Sequence, residues 1–207
     1  MRSSRRQWVR CGTGIALGAA LALSPARPAR AALPVILPRP GQIGFTIQGG
    51  YGTLLKTGNL GDEFGSGGGL AVRVRYRMKY ERAVGLSFET QTLDARAPAD
   101  SMFARTSATT ILSGLDFYQM FNTDDRTQSL LSFGAGLAQV HYTLRDGETE
   151  YPDQGDGLYL AAGGGIERFV YRSFALDFTA RYTMIFQAQK VNQGIQALAG
   201  MIFYVAY

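Results

Sequence analysis

The chain has very little cysteine or histidine: one of each in 207 residues. The single Cys11 lies in the first 31 residues, ahead of an expected cleavage site. The exported chain is therefore expected to carry no thiol, no disulfide and no Cys-ligated metal. Acidic residues are absent from the same 31 residues, which hold Arg2, Arg5, Arg6, Arg10, Arg27 and Arg30. Taking these six cations from a net charge of +5 leaves −1. The apparent basicity belongs to the leader, and no electrostatic case for nucleic acid remains. The apolar run at residues 11–23 is too short, and too rich in Gly and Ala, for a comfortable transmembrane helix.

These features together read as a cleaved export signal over residues 1–31. Residues 1–10 are basic and residues 11–23 are apolar. Ala29-Arg30-Ala31 is a small-residue cleavage site before Ala32. An uncleaved anchor is the alternative. Ser4-Arg5-Arg6-Gln7-Trp8-Val9 also resembles a twin-arginine signal. That route carries folded cargo, whereas the rest of the chain reads as something that folds in a membrane. Residues 32–42, with three prolines, read as an extended lead-in.

What is abundant is glycine, with 26 residues, and apolar–polar alternation. Residues 70–80 show it best. Leu70, Val72, Val74, Tyr76, Met78 and Tyr80 alternate with Ala71, Arg73, Arg75, Arg77 and Lys79. A helix would scatter the four cations around its circumference, whereas a strand puts them on one face. Similar runs over residues 43–55, 84–91, 105–121, 129–143, 158–169, 174–186 and 194–207 bring the expected total to eight strands. No helix of note and no second domain are expected.

Short connections near Glu81, Asp124 and Arg172 alternate with longer polar ones starting near Lys56, Leu93, Leu144 and Gln187. Such alternation predicts an all-β, antiparallel up-and-down barrel over residues 43–207. A secreted soluble barrel would point its apolar faces inward. A membrane barrel points them at lipid, and the charges then favour the second arrangement. Arg73, Arg75, Arg77, Lys79, Glu89, Asp116, Asp177 and Arg181 lie on the polar faces, with Glu167 joining them if its register allows. Each cation would cost ~2–4 kcal/mol near the middle of a bilayer, so these residues are expected to line the lumen. If Tyr80 faces Val84 across a turn at residues 81–83, Arg75 stands opposite Glu89. A register two residues away would pair Arg73 with Glu89 instead.

Tyr207 ends the chain, preceded at alternate positions by Val205, Phe203, Met201 and Ala199. This pattern resembles the C-terminal assembly signal of bacterial outer-membrane barrels, with Phe203, Val205 and Tyr207 as its matching positions. Leu198 departs from it, since a polar residue is usual there. From Gln42 to Tyr207 the chain resembles the small eight-stranded outer-membrane proteins of the OmpA/OmpX type. The resemblance is architectural rather than carried by one motif. It implies an integral outer-membrane transmembrane barrel of a Gram-negative cell, porin-like in address. It also implies contact with outer-membrane lipid and lipopolysaccharide, dependence on the barrel-assembly machinery, and a monomeric state. No cofactor, no metal and no catalytic residue are expected.

Two other readings stay open: a small-solute pore with a cationic lumen, and a lipid A-modifying enzyme. For the enzyme, barrel lipid A deacylases use a His followed two residues later by Ser. Here His141 is followed by Thr143, so the match fails at the nucleophile. No His/Ser/Asp set suited to a palmitoyltransferase is evident. The glycines at 49–50, 134, 136 and 163–165 lie inside strand-like runs and lack the strand–turn–helix context of a phosphate loop. They are expected to make room for long lumen side chains. Asp146, Glu148, Glu150, Asp153 and Asp156 share one polar stretch and read as a solvated loop, with loose cation binding as the alternative.

Overall fold

A computed structural model describes residues 35–57, 59–96, 103–146, 149–187 and 190–205. The alternating runs form eight strands: β1 Ile43–Leu54, β2 Ser66–Arg77, β3 Arg82–Asp94, β4 Phe103–Phe121, β5 Thr127–Asp146, β6 Thr149–Tyr171, β7 Phe174–Gln187 and β8 Lys190–Val205. Each strand pairs antiparallel with its neighbours in sequence. β1 pairs with both β2 and β8, so the sheet closes into a barrel with no free edge.

The period of two decides the sides. Phe45, Ile47, Leu86, Phe88, Leu115, Phe133, Leu160 and Phe178 point outward, and Leu115 is 65% exposed. The alternate residues point inward and are buried, including Arg73, Arg75 and Arg77 on β2. The exterior is therefore the apolar side and the interior the charged one.

Three short turns lie at one end, spanning residues 78–81, 122–126 and 172–173. Asn122 and Arg172 there adopt positive φ of 55° and 43°. Residues 35–42 cross the same end. The Ile36 N–H donates to the Arg172 carbonyl at 3.1 Å, and the Gly41 N–H donates to the Arg77 carbonyl at 2.7 Å. Val35 and Leu37 pack on the buried cluster of Phe169, Ala175, Ile202 and Tyr204.

At the opposite end the sequence expectation needs correction. The stretches read as long loops at residues 144–157 and 187–193 are largely strand among the described residues, and the ends of 93–104 belong to β3 and β4. β5 runs to 20 residues and β6 to 23, so their polar stretch is a hairpin with only residues 147–148 between the strands. Over residues 144–157 polar residues occupy both alternate sets of positions in the sequence, so there is no alternation to read. The first connection also differs from expectation. It holds a short helix, α1 Asn59–Glu63, in a stretch read as a Gly-rich loop.

The outward apolar face predicts the effect of placing charge on it. Leu115→Arg should weaken folding into phospholipid vesicles by ~2–4 kcal/mol in urea titrations. An unchanged midpoint would mean that this face does not contact hydrocarbon.

Candidate functional site: the charged interior of the barrel

β2 supplies a row of three inward guanidinium groups, two residues apart. The matching acids come from four other strands: Glu89 on β3, Asp116 on β4, Glu167 on β6 and Asp177 on β7. Arg181 on β7 is the fourth inward arginine. Among the described residues, the buried charges are these four arginines and four carboxylates. These eight charges sum to zero.

The charges sort into two stacked groups. In the first, Arg73 meets Glu89 at 2.7 Å, and Arg181 meets both Glu89 and Asp116 at 2.7 Å. A second contact from Arg181 to Asp116 at 3.1 Å makes that pair bidentate, the geometry a planar guanidinium favours. Gln196 donates to the free oxygen of Glu89 at 2.6 Å. In the second group, Arg75 pairs with Glu167 and lies 3.6 Å from Asp177. Arg77 lies 3.9 Å from Glu167 and donates to Gln128 at 2.6 Å.

Neutral side chains join the two groups. Gln48 accepts from Arg73 and donates to Asp177 at 3.0 Å. The Tyr118 hydroxyl donates to Asp116 at 3.0 Å while its ring carries the Arg75 guanidinium, 4.1 Å from the centroid. Tyr204 donates to Glu167 at 3.1 Å. Each guanidinium also keeps one buried Nε–H without a hydrogen-bond partner, so the network is dense but not saturated.

Space for these side chains comes from glycine. A Cβ at Gly134 would strike the Asp116 carboxylate and lie 2.5 Å from Arg181 Nη2. The bidentate pair thus occupies volume that any other residue at 134 would fill. At Gly44 the Tyr204 ring sits where a Cβ would meet it at 2.9 Å.

Above the charges, the loop end of the interior is apolar. Leu60 and Phe64, at and beside α1, enter the barrel mouth and pack with Leu54, Leu93, Ala108 and Val140. Arg96 holds this segment in place. Its guanidinium donates to the carbonyls of Gly61 and Phe64, both at 2.8 Å, and of Leu54 at 2.6 Å. Between cap and charges lies a cavity of about 20 Å³, lined in part by Gln91, Thr110, Thr183 and Gln196. That is room for about one water molecule.

Two sequence expectations are corrected. Lys79 does not enter the interior: it is exposed in the turn at 78–81. Arg75 does not stand opposite Glu89: it faces Gly85 and reaches across the barrel to Glu167. The turn begins three residues earlier than expected, with the Met78 and Lys79 N–H groups donating to the Arg82 carbonyl. That earlier turn sets Tyr76, not Tyr80, against Val84. Glu89 pairs with Arg73, but diagonally, since Arg73 itself stands opposite Ser87.

Arg73, Arg77, Asp116, Asp177 and Arg181 are all inward and buried, as is Glu167. Gln48, Tyr118, Tyr204, Leu60, Phe64 and Arg96 are not among the residues the sequence singles out. Gln48 alternates with Ile47 in a readable strand, but Leu60 and Phe64 lie in a stretch with no period. His141 is exposed on the outer wall of β5. The side chains of Thr143, Asp146, Glu148, Glu150 and Asp153 lie outside the described residues, as does Tyr207. Phe203 and Val205 point outward, and Leu198 is buried inward.

A closed antiparallel barrel, apolar outside and charged within, is the transmembrane β-barrel arrangement in its smallest, eight-stranded form. No family model matches the sequence, and no curated protein matches it. Solved structures do match. Neisserial surface protein A superposes with a TM-score of 0.57 at 16% identity, over 78% of this chain and 96% of that one. The outer membrane protein OprG of Pseudomonas aeruginosa gives 0.53 at 12% identity, over 82% and 99%. The attachment invasion locus protein Ail of Yersinia pestis, solved with the heparin analogue sucrose octasulfate, gives 0.51 at 14% identity, over 79% and 99%. The shared feature is the fold of small outer-membrane barrels.

Two substitutions test the interior. Glu89→Ala leaves Arg73 and Arg181 short of a counter-charge and should cost about 3–5 kcal/mol, whereas Lys79→Ala should stay within about 0.5 kcal/mol. Vesicle unfolding titrations of both variants would measure the contrast, and equal effects would refute the assignment of Lys79 to the exterior. Arg96→Ala should loosen the mouth, seen as faster amide exchange over residues 59–65 with the strand amides unchanged.

Proposed function

We propose that the chain is an integral outer-membrane barrel with a structural and surface-interaction role, and that its lumen is plugged by its own charges. The observation that carries this reading is the inverted barrel itself: an apolar exterior around four arginines neutralised by four carboxylates. In this reading the leader is removed at Ala31/Ala32 and the barrel-assembly machinery inserts the strands. The short turns then face the periplasm, and the long β5–β6 hairpin and the α1 segment face outward. The outer wall meets lipid and lipopolysaccharide, and the partners of the exposed hairpins define the function. The barrel works as a monomer without catalysis.

Packing speaks against a small-solute pore. Apolar clusters occupy both ends of the interior, and the charge groups fill the layer between them.

Cell fractionation combined with gel mobility before and after boiling tests the address and the closed barrel together. The mature chain should sediment with outer membranes and migrate faster unboiled than boiled. Solubility without detergent would sink the reading. Reconstituted into planar bilayers, the barrel should carry no steady single-channel current, and sustained ohmic conductance would favour the pore.

A further inference from the structure

The short-turn rim carries exposed cations that the interior network does not use. Arg168 is the clearest. It lies on the outward column of β6, between the exposed Ile166 and Val170, where every other described residue from Leu158 to Val170 is apolar or glycine. Its register partners are Thr127 on β5 and Leu176 on β7, so no acid faces it across either ladder. Arg126 immediately precedes Thr127, and its carbonyl accepts from the Phe169 N–H at 2.8 Å, so its backbone lies at the rim one residue from the Thr127–Arg168 pair, and its side chain is exposed there. Arg172 follows in the next turn, with its guanidinium 5.2 Å from the Tyr171 ring. Asp124 and Asp125 share the Arg126 turn, yet none of these three guanidinium groups forms an ion pair among the described residues.

Directly up β6 from Arg168 is an apolar groove of about 470 Å³ on the outer wall. Gly49, Gly164, Ala180 and Ala199 form its floor, and Ile166 and Phe178 stand beside them. Gly164 is four residues from Arg168 along one strand, about 13 Å at strand rise. Half of a hydrocarbon core is about 15 Å. A phosphate held at Arg168 therefore places the acyl chain beneath it over Gly164.

We propose that this surface binds one anionic glycerophospholipid of the inner leaflet, its phosphate on Arg168 and Arg126 and an acyl chain in the groove. The proposal rests on the membrane-barrel reading above. Charge selects the lipid: unpaired cations stand at the headgroup level, and the groove is lined by glycine and apolar side chains apart from Thr179. Each basic residue beside an anionic surface strengthens binding about fivefold.

The test uses the full mature chain refolded into nanodiscs of equal phosphatidylglycerol and phosphatidylcholine, with retained lipid counted by native mass spectrometry. The wild type should retain one phosphatidylglycerol in preference to phosphatidylcholine. Arg126→Gln with Arg168→Gln should reduce that preference at least about fivefold. Gly164→Leu should reduce retention of either lipid. A Cβ there makes only ordinary contact, 3.4 Å from Leu131, so the barrel tolerates it. Lys56→Gln, at the opposite rim, should change nothing.

Heat-modifiable mobility is recorded for every sample. An inserted barrel with no anionic preference, or with preference unchanged in the arginine variant, overturns the proposal alone. A lipid-free mass of two copies assigns the groove to a homodimer and also overturns it. A wild type that fails to insert sinks the membrane reading and the proposal together.

Discussion

Every charge that enters this barrel must find its counter-charge inside it. An eight-stranded barrel barely holds its own side chains, so bulk water cannot screen a buried ion there. Three arginines on β2 would repel one another about 7 Å apart along the strand. They are tolerated because Glu89, Asp116, Glu167 and Asp177 arrive from four other strands. Neutralisation is thus tied to closure: Glu89 reaches Arg73 within the β2–β3 hairpin, but Asp116, Glu167 and Asp177 reach the arginines of β2 only when the wall curves round. The partially formed sheet gains part of this pairing, whereas the complete barrel gains all of it. Arginine suits the position better than lysine, since one planar group can serve two acids, as Arg181 does with Glu89 and Asp116.

Other features follow from that demand for internal space and pairing. Gly134 is open because the Arg181–Asp116 pair fills it. Tyr118 and Tyr204 serve both as packing and as hydroxyl donors to carboxylates, which an aliphatic residue could not do. With the polar residues committed inward, the outward positions are left apolar. A half-exposed Phe45 or Phe133 that would threaten solubility in water is an asset against hydrocarbon. Where the charges end, apolar side chains resume, and Leu60 and Phe64 close the mouth under the Arg96 clasp.

The sequence made the strands and their sides legible, because a period of two survives any error in register. Register itself was not legible at the first turn. Lys79 continues the phase of the arginines and Tyr80 that of the apolar face, so alternation runs straight through the residues that turn. Pairing was legible only in part. Arg73 and Glu89 belong to adjacent strands and share one reachable patch. Arg75 and Glu167 are 92 residues apart and meet across the lumen, which no local pattern encodes. The mouth was illegible for a different reason. α1 has five residues, too few for a helical period, and Leu60 within it and Phe64 beside it look like accidents in a polar loop.

The same accounting bears on what the row of arginines does. Read alone, β2 is a cationic ladder, and a cationic ladder lining a lumen would select anions. Selection requires a field that reaches the permeating ion, and a field requires charge left over. Here each guanidinium has a carboxylate within 4 Å, and the described interior sums to zero. The row of arginines is thus matched by acids rather than left as a net positive wall. Cations that the lumen did not take up, among them Arg126, Arg168 and Arg172 at the rim, stay exposed on the outside. The residues that organise the fold and those available for recognition are therefore different sets of arginines.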